Sequence, residues 1–210
     1  MAQSTRGIHS ILSSPRIYWL FQAAVGQPDR QARFVSHLRP EPGMRVLDVG
    51  CGPGEILRLM PETDYLGYDL SPGYIDAARR QFANQGEFHC GDVTTAELNG
   101  RRFDAVIAHG LIHHLDDAGA QRLIDLAATV LEPDGRMLTA DPTHVAGASR
   151  ATRWFIGLDR GGNVRTPEGY AELARRRFES VDVSVDNDRL RPPLLRWRHP
   201  IAVMECRRPR

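Results

Sequence analysis

Between Arg45 and Ala140 short apolar runs recur, each three to five residues long and each followed by polar or glycine-rich sequence. Runs of this kind read as parallel strands buried on both faces. They cover Arg45 to Val49, Tyr65 to Asp69, Glu87 to His89, Asp104 to Ala108 and Arg136 to Ala140. Two of the helices between them are well marked. One follows Ser71-Pro72, a cap with proline at the first helical position, and puts Ile75, Ala78 and Phe82 on one face. The other follows Asp117, repeats Leu123, Leu126, Ala127, Val130 and Leu131 along one stripe, and stops at Glu132-Pro133-Asp134-Gly135. Strand and helix alternating five times over predict an α/β fold with a Rossmann-like, doubly wound sheet.

The two flanks are patterned differently. Ser14-Pro15 and Gly26 bracket a helix whose stripe of Ile17, Leu20, Phe21 and Ala24 is supplemented on other sides by Tyr18, Trp19 and Val25. A helix apolar on more than one face needs two partners. A second helix runs from about Asp29 to Leu38 and ends before Pro40. Beyond Asp141, a helix around Arg150 to Leu158 and a capped one after Thr166-Pro167 lead to two strands, "FESVDVSVD" and "IAVMECR", which form an antiparallel pair at one edge. No internal repeat or low-complexity tract interrupts the pattern. Residues 1–39 thus read as a helical extension and residues 40–210 as the body of a single domain.

Composition narrows the chemistry. All 27 basic residues are arginine, so Schiff-base and pyridoxal-phosphate mechanisms and a Walker-type phosphate loop, which need lysine, are excluded. A net charge of +1 gives no support to a general polyanion binder, and no nucleic-acid partner is expected. Three well-separated cysteines, Cys51, Cys90 and Cys206, suggest neither a disulfide framework nor a zinc site. The acids nearest the candidate site are not clustered as an oxygen-ligand set, so no metal is expected. The start lacks a charged-then-apolar leader, and the densest apolar run, Ile17 to Val25, is too short to span a bilayer, which fits a cytoplasmic protein.

The first strand runs into "VLDVGCGPG", where Gly50, Gly52 and Gly54 alternate after Asp48 and Val49. In an open parallel sheet this is where a ligand meets the backbone at the switch point, and glycine removes the β-carbon that would bar it. A dinucleotide turn spaces its glycines G-x-G-x-x-G and cradles pyrophosphate on amides. Here the third glycine comes one residue early and Pro53 deletes an amide. Asp69, which ends the second strand 21 residues after Asp48, can accept both hydroxyls of a ribose, and Leu70 beside it can pack on a purine. Asp92 in "FHCGDV" can take an adenine amino group, with the Val93 amide on the ring nitrogen. Competing bland roles are a helix-capping acid for Asp69 or Asp92, a packing glycine for Gly54 and a small buried thiol for Cys51.

Taken together and in order, "VLDVGCGPG", "YDLS", "GDV", "FDAVIAHGLIHHL" and "LEPDGRML" resemble the class I S-adenosylmethionine-dependent methyltransferases, in particular their small-molecule branch (methyltransferase type 11/12-like). The likeness is clear over residues 40 to 141, while residues 166 to 207 match only in their pattern of elements. It implies a seven-stranded sheet closed by the antiparallel pair. It also implies that Gly50, Cys51, Gly52 and Gly54 pass beside the methionine part of S-adenosylmethionine, that Asp48 helps hold its amine, that Asp69 takes the ribose, and that Asp92 and Val93 take the adenine. Residues 1–39 then correspond to a lid, with Tyr18 over the cofactor; packing on a sheet edge or in a homodimer is the alternative.

Methyl transfer from a sulfonium needs in-line placement of the nucleophile, and a base if that nucleophile carries a proton. The residues past the fourth strand, which face the methyl group in this family, are His109-Gly110-Leu111-Ile112-His113-His114. An Asn/Asp-Pro-Pro-Tyr motif, used to hold exocyclic amines of bases, is absent there. Histidine titrates near neutrality, so His113 is the preferred base and His114 the next; His109 is assigned to the cofactor. Asp141, ending the fifth strand, and His144 beyond it are further candidates, and a pairing of Asp141 with His113 is left open. In "GLDRGGNVRT", Arg160 and Arg165 can hold a substrate carboxylate or phosphate, or the loop is bonded internally. The basic stretch "RLRPPLLRWRHP" reads more readily as a solvated hairpin insertion than as a nucleic-acid or membrane contact. The resulting expectation is transfer of a methyl group to an oxygen or carbon nucleophile of a small molecule; the alternatives are a methyltransferase-fold scaffold without turnover and a nicotinamide-dependent oxidoreductase.

Overall fold

The structure, a computed structural model, describes residues 27–157, 162–189 and 198–210. The first expected helix with Tyr18, the position of Arg160 and most of the basic insertion lie outside the described residues.

Strands β1 (Arg45–Val49), β2 (Asp64–Asp69), β3 (Glu87–Cys90), β4 (Phe103–His109), β5 (Leu131–Pro142), β6 (Phe178–Arg189) and β7 (Arg198–Pro209) form one seven-stranded sheet in the order β3-β2-β1-β4-β5-β7-β6. The first five are parallel, while β7 inserts antiparallel between β5 and β6, as the alternating pattern of the tail predicts. The chain steps outward from β1 to β3 and then returns to β4 on the other side of β1. The carboxyl ends of β1 and β4 therefore diverge into a switch-point crevice.

Helices α1 (Gln27–Leu38) and α2 (Pro72–Phe82) cover one face, with Phe34, Leu38, Ile75, Ala78 and Phe82 buried against Val46, Tyr65 and Ile107. Helices α3 (Asp117–Val130) and α5 (Pro167–Ala174) cover the other, with Leu123, Ile124, Ala127 and Tyr170 against Leu47, Val106 and Met204. A short helix α4 (Arg150–Gly157) precedes α5. The capping expected from sequence is present. Ser71 accepts the Tyr74 amide at 3.4 Å and Thr166 accepts that of Gly169 at 3.1 Å, while Asp116, one residue earlier than expected, caps α3 through the Gly119 amide at 2.8 Å.

Two crossovers depart from the expected strand-helix-strand pattern. After β1 the chain makes only a 3-10 turn, Glu55–Leu59, and after β3 another, Val93–Thr95. Few residues separate Gly54 from β2, Pro61 is among them, and the left-handed Gly54 (φ +77°) starts the turn, so an α-helix has no room. The uncovered face is filled by α1, whose Phe34 and Val35 join Ile56 and Leu57 in one cluster. Strand β5 starts at Leu131 instead of after Gly135, because the pairing with β4 slips between Phe103 and Ala105 and absorbs the Pro-Asp-Gly stretch as an irregularity. No described helix is long and apolar enough to cross a membrane.

Candidate active site at the carboxyl ends of the parallel strands

The three turn glycines all have left-handed backbones, at φ +75°, +55° and +77°, yet each is required for a different reason. A β-carbon on Gly50 would meet the Leu111 side chain at 3.1 Å, and one on Gly54 would meet Phe88 and Phe82 at 3.1 and 3.2 Å. One on Gly52 would meet nothing within 4 Å. Only Gly52 therefore borders open space. Gly54 packs, the bland role the sequence allowed.

The amides of this turn are all engaged within the protein. Those of Gly50 and Cys51 bond the Tyr68 carbonyl at 2.8 and 3.0 Å, and that of Gly54 bonds the Cys51 carbonyl at 3.1 Å. The Gly52 amide donates to Asp69 Oδ2 at 3.0 Å. Pro53 has none. No row of free donors is left to cradle a phosphate.

Asp69 thus ties the first turn to the end of β2. Its other oxygen accepts the Ser71 amide at 2.8 Å, and burial raises its pKa, opposed by these two amides. Each carboxylate oxygen has a second lone pair, so both retain capacity for a donor. Leu70 beside it is 73 % exposed, a large apolar side chain with its face uncovered at the crevice. Asp92 caps its 3-10 turn, accepting the Thr94 amide at 2.9 Å and hydroxyl at 2.7 Å, and is exposed; Val93 is buried.

Asp48 lies deep, and Cys51 is the small buried thiol that the sequence allowed. Asp48 is only 3 % exposed, and its Oδ2 accepts the Tyr65 hydroxyl at 2.5 Å beneath the turn. Burial pushes this carboxyl up to about 7, against the lowering effect of the tyrosine bond. At this depth the carboxyl presents little surface of its own, and Tyr65 is its near partner. Cys51 is buried against Gly67, where a β-carbon would come within 2.9 Å of its Sγ, and burial drives its thiol far above the ordinary range. Tyr65 and Gly67 were not singled out from sequence. Their only signal was the period-two alternation that puts residues 65, 67 and 69 on one face of β2.

Leu111, which packs on Gly50, begins the histidine turn, so the two loops are in direct contact. Ile112 to His114 form a 3-10 turn that buries His113 and leaves His114 exposed. The His113 Nδ1 lies 2.8 Å from Asp141 Oδ1, which also accepts the His113 backbone amide at 3.1 Å. Asp141 is buried at the end of β5, and among the described residues its Oδ2 has no hydrogen-bond partner. The pairing the sequence left open is therefore present. His109 ends β4 with its ring edge-on to Phe34 at 5.0 Å, and desolvation pushes its pKa down to about 4, so it is neutral near pH 7. His144 is exposed and its amide bonds the Arg165 carbonyl at 3.1 Å.

Arg165 departs from its expected substrate role. Its Nε and Nη2 bond Asp117 Oδ1 at 3.2 and 2.7 Å, Nη1 bonds the carbonyls of Ile112 and Asn163 at 3.3 and 3.0 Å, and Nη2 bonds that of Leu115 at 3.0 Å. A guanidinium has five N–H donors, and these contacts use all of them. None remains for a substrate anion. Among the described residues no cluster of side chains is arranged to hold a metal ion.

Residues 46–135 match the family described as methyltransferase domain. This stretch is a methyltransferase domain. It covers the glycine turn, Asp69, Asp92 and the histidine turn, and the resemblance to class I S-adenosylmethionine-dependent methyltransferases is borne out. The chain is 28 % identical over 162 residues to a ubiquinone biosynthesis O-methyltransferase of Azorhizobium caulinodans, covering 70 % of this chain and 63 % of that protein. It is 32 % identical over 128 residues to the ubiquinone/menaquinone biosynthesis C-methyltransferase UbiE of Desulfotalea psychrophila, covering 58 % and 51 %. The chain thus spans about half to two thirds of the length of these relatives. A TehB-like SAM-dependent methyltransferase of Corynebacterium glutamicum shares the fold at a TM-score of 0.62 and 20 % identity, over 95 % of this chain and 98 % of the other. The methyl donor that the methyltransferase domain implies is S-adenosylmethionine.

Proposed function

We propose that this protein transfers the methyl group of S-adenosylmethionine to an oxygen or carbon nucleophile of a small molecule by direct displacement. The observation that carries the reading is the contact of Leu111 with Gly50, which joins the loop of the buried His113–Asp141 pair to the glycine turn, whose Gly52 borders open space. The residues present fit the donor. Gly52 gives it backbone approach, Asp69 keeps lone pairs for the ribose hydroxyls, Leu70 offers an uncovered apolar face, and Asp92, Val93 and the neutral His109 line the same end of the sheet. The donor supplies an electrophilic methyl on a positively charged sulfur.

The protein's part is to place the acceptor in line and to remove its proton. In this reading His113 accepts that proton, held by Asp141 in one tautomer, and Asp141 stabilises the imidazolium that forms. His114 and His144, both exposed near the crevice, are assigned to the acceptor side. The two quinone-pathway relatives carry O- and C-methyltransferase names, and both kinds of acceptor are hydroxyl or carbon acids that need a base. The turn's internal use of its amides argues against the nicotinamide alternative, since a pyrophosphate would find no free donors there.

Calorimetric titration with S-adenosylmethionine, S-adenosylhomocysteine and NAD, with Asp69→Ala as control, tests the reading. Saturable binding of the first two, lost in the variant, is expected, and a screen of phenolic and enolic acceptors with labelled methyl donor follows. Binding of NAD alone would overturn it, and binding without transfer to any acceptor would favour the scaffold alternative.

A further inference from the structure

Asn163 and Arg165, just ahead of α5, do more than lead into that helix. Arg165 reaches across to the histidine turn and takes the carbonyls of Ile112 and Leu115, which bracket His113 and His114. The Asn163 amide takes the carbonyl of His113 itself at 3.1 Å. On its other side, the Arg165 carbonyl accepts the Thr143 hydroxyl at 2.9 Å and the His144 amide at 3.1 Å, and Thr143 and Arg165 pair as an isolated parallel bridge. Thr143 is two residues beyond Asp141. One residue therefore grips the loop of the imidazole with its side chain and the strand of the carboxylate with its backbone.

We propose that Arg165 is a positioning residue that sets the His113–Asp141 geometry. The inference rests on the proposed base role of His113 for its kinetic consequence, and on the described contacts alone for its structural one. The guanidinium is 13 % exposed while its ionic partner Asp117 is 86 % exposed. An ion pair with so exposed a partner contributes little, so the carbonyl contacts are what draw the cation out of water. The turn it holds is a single 3-10 turn of three residues, a geometry with weaker hydrogen bonds than an α-helix. The brace acts together with the His113 amide's own bond to Asp141 Oδ1 in fixing the 2.8 Å contact between Nδ1 and Oδ1. Lysine cannot substitute: its ammonium is a point charge with three donors and cannot span four acceptors in a plane. The face of Tyr170 lies 5.9 Å from the guanidinium, and its hydroxyl bonds the Pro142 carbonyl at 2.8 Å, anchoring the brace to the end of β5.

The test compares wild type with Arg165→Lys and Arg165→Met, using long-range proton–nitrogen spectra of the histidine rings, assigned with His113→Gln. Both variants are expected to lose the single tautomer of His113, and the pH midpoint of its ring signals to move, with S-adenosylmethionine affinity changing less than about twofold. Turnover on an acceptor found by the screen is expected to fall by about 10²-fold with its KM little altered, as a misplaced reacting group does. A wild-type His113 spectrum in folded Arg165→Lys would overturn the proposal, because charge alone would then suffice. If Arg165→Met fails to fold, Arg165→Lys decides by the same spectrum. A changed spectrum with no methyl transfer in any variant or in wild type would leave positioning standing and sink the proposed function instead.

Discussion

Two aspartates of this protein are buried near the ends of parallel strands, Asp48 in β1 and Asp141 in β5, and each has one side-chain partner at short range. Asp48 is matched with the phenol of Tyr65, whose own pKa is pushed well above the ordinary range by burial and by the nearby carboxylate. That proton does not leave at any ordinary pH. Asp141 is matched with an imidazole, a group able to gain and lose a proton, and among the described residues one of its oxygens has no partner. Equal depth and equal chemistry thus give two different devices. One braces a turn, and the other, in the proposed reading, takes part in proton transfer. What separates them is the partner's proton, not the carboxylate.

The comparison is broken most directly at the partners. His113→Gln keeps the volume and polarity of the ring but cannot accept a proton, and a fall in turnover of about 10²- to 10⁴-fold is expected, with donor affinity nearly unchanged. Tyr65→Phe removes the other partner and should leave the transfer step largely intact while lowering stability, because Asp48 then keeps a buried lone pair unsatisfied. Single-turnover transfer of labelled methyl separates the two. Equal losses of turnover in both variants would end the distinction drawn here.

A smaller loss is expected at Asp69, which holds the Gly52 amide and the Ser71 amide at once. Asp69→Ala should weaken S-adenosylmethionine binding by about 1.5–3 kcal/mol, roughly ten- to a hundredfold, as loss of hydrogen bonds to a charged group does. Calorimetry reads it, and thermal melting reports how much of the loss is slackening of the glycine turn. Undiminished affinity would remove Asp69 from the donor's site and leave it as a turn brace like Asp48.

Most of the fold is legible in the chain because its strands are buried on both faces and its helices carry caps. "YLGYD", "FDAVIA" and Ser71-Pro72 are signals of one local element each. The missing first crossover helix was not legible, since it depends on α1 arriving from outside the alternating region to cover Ile56 and Leu57. At the site, Asp69, Asp92 and the histidine turn stand at predictable strand ends. Whether a side chain there faces the crevice or the core is decided by partners far away in sequence. Asp48 turns to Tyr65, and Arg165 to carbonyls about fifty positions earlier, and no spacing rule contains either pairing. The glycines show the same limit: one alternating motif, but three different surroundings, with Leu111 at Gly50, open space at Gly52 and two phenylalanines at Gly54.

A separate effect, the one that isolates Asp48, lies in the pH dependence of stability. Its folded pKa, about 7, is above the ordinary carboxylate value of 3.8, so between these pH values the folded chain holds a proton that the unfolded chain does not. Its contribution to stability is therefore complete below the ordinary value and is lost as pH rises through about 7. Within that window the slope is at most about 1.4 kcal/mol per pH unit. Asp69, also raised, acts with the same sign, while Asp104 and Glu168, lowered by Arg45 and Arg175, act with the opposite one, so the bare stability profile is ambiguous. The difference between Asp48→Asn and wild type is not. The amide still accepts the Tyr65 hydroxyl but never ionises, so the variant should gain on wild type as pH rises from 5 to 8 in urea denaturation, by an amount that levels off above about 8. A difference independent of pH would mean that Asp48 is ionised throughout, held as a charge by partners beyond Tyr65, and its likeness to Asp141 would then be closer than the geometry of the two pairs suggests.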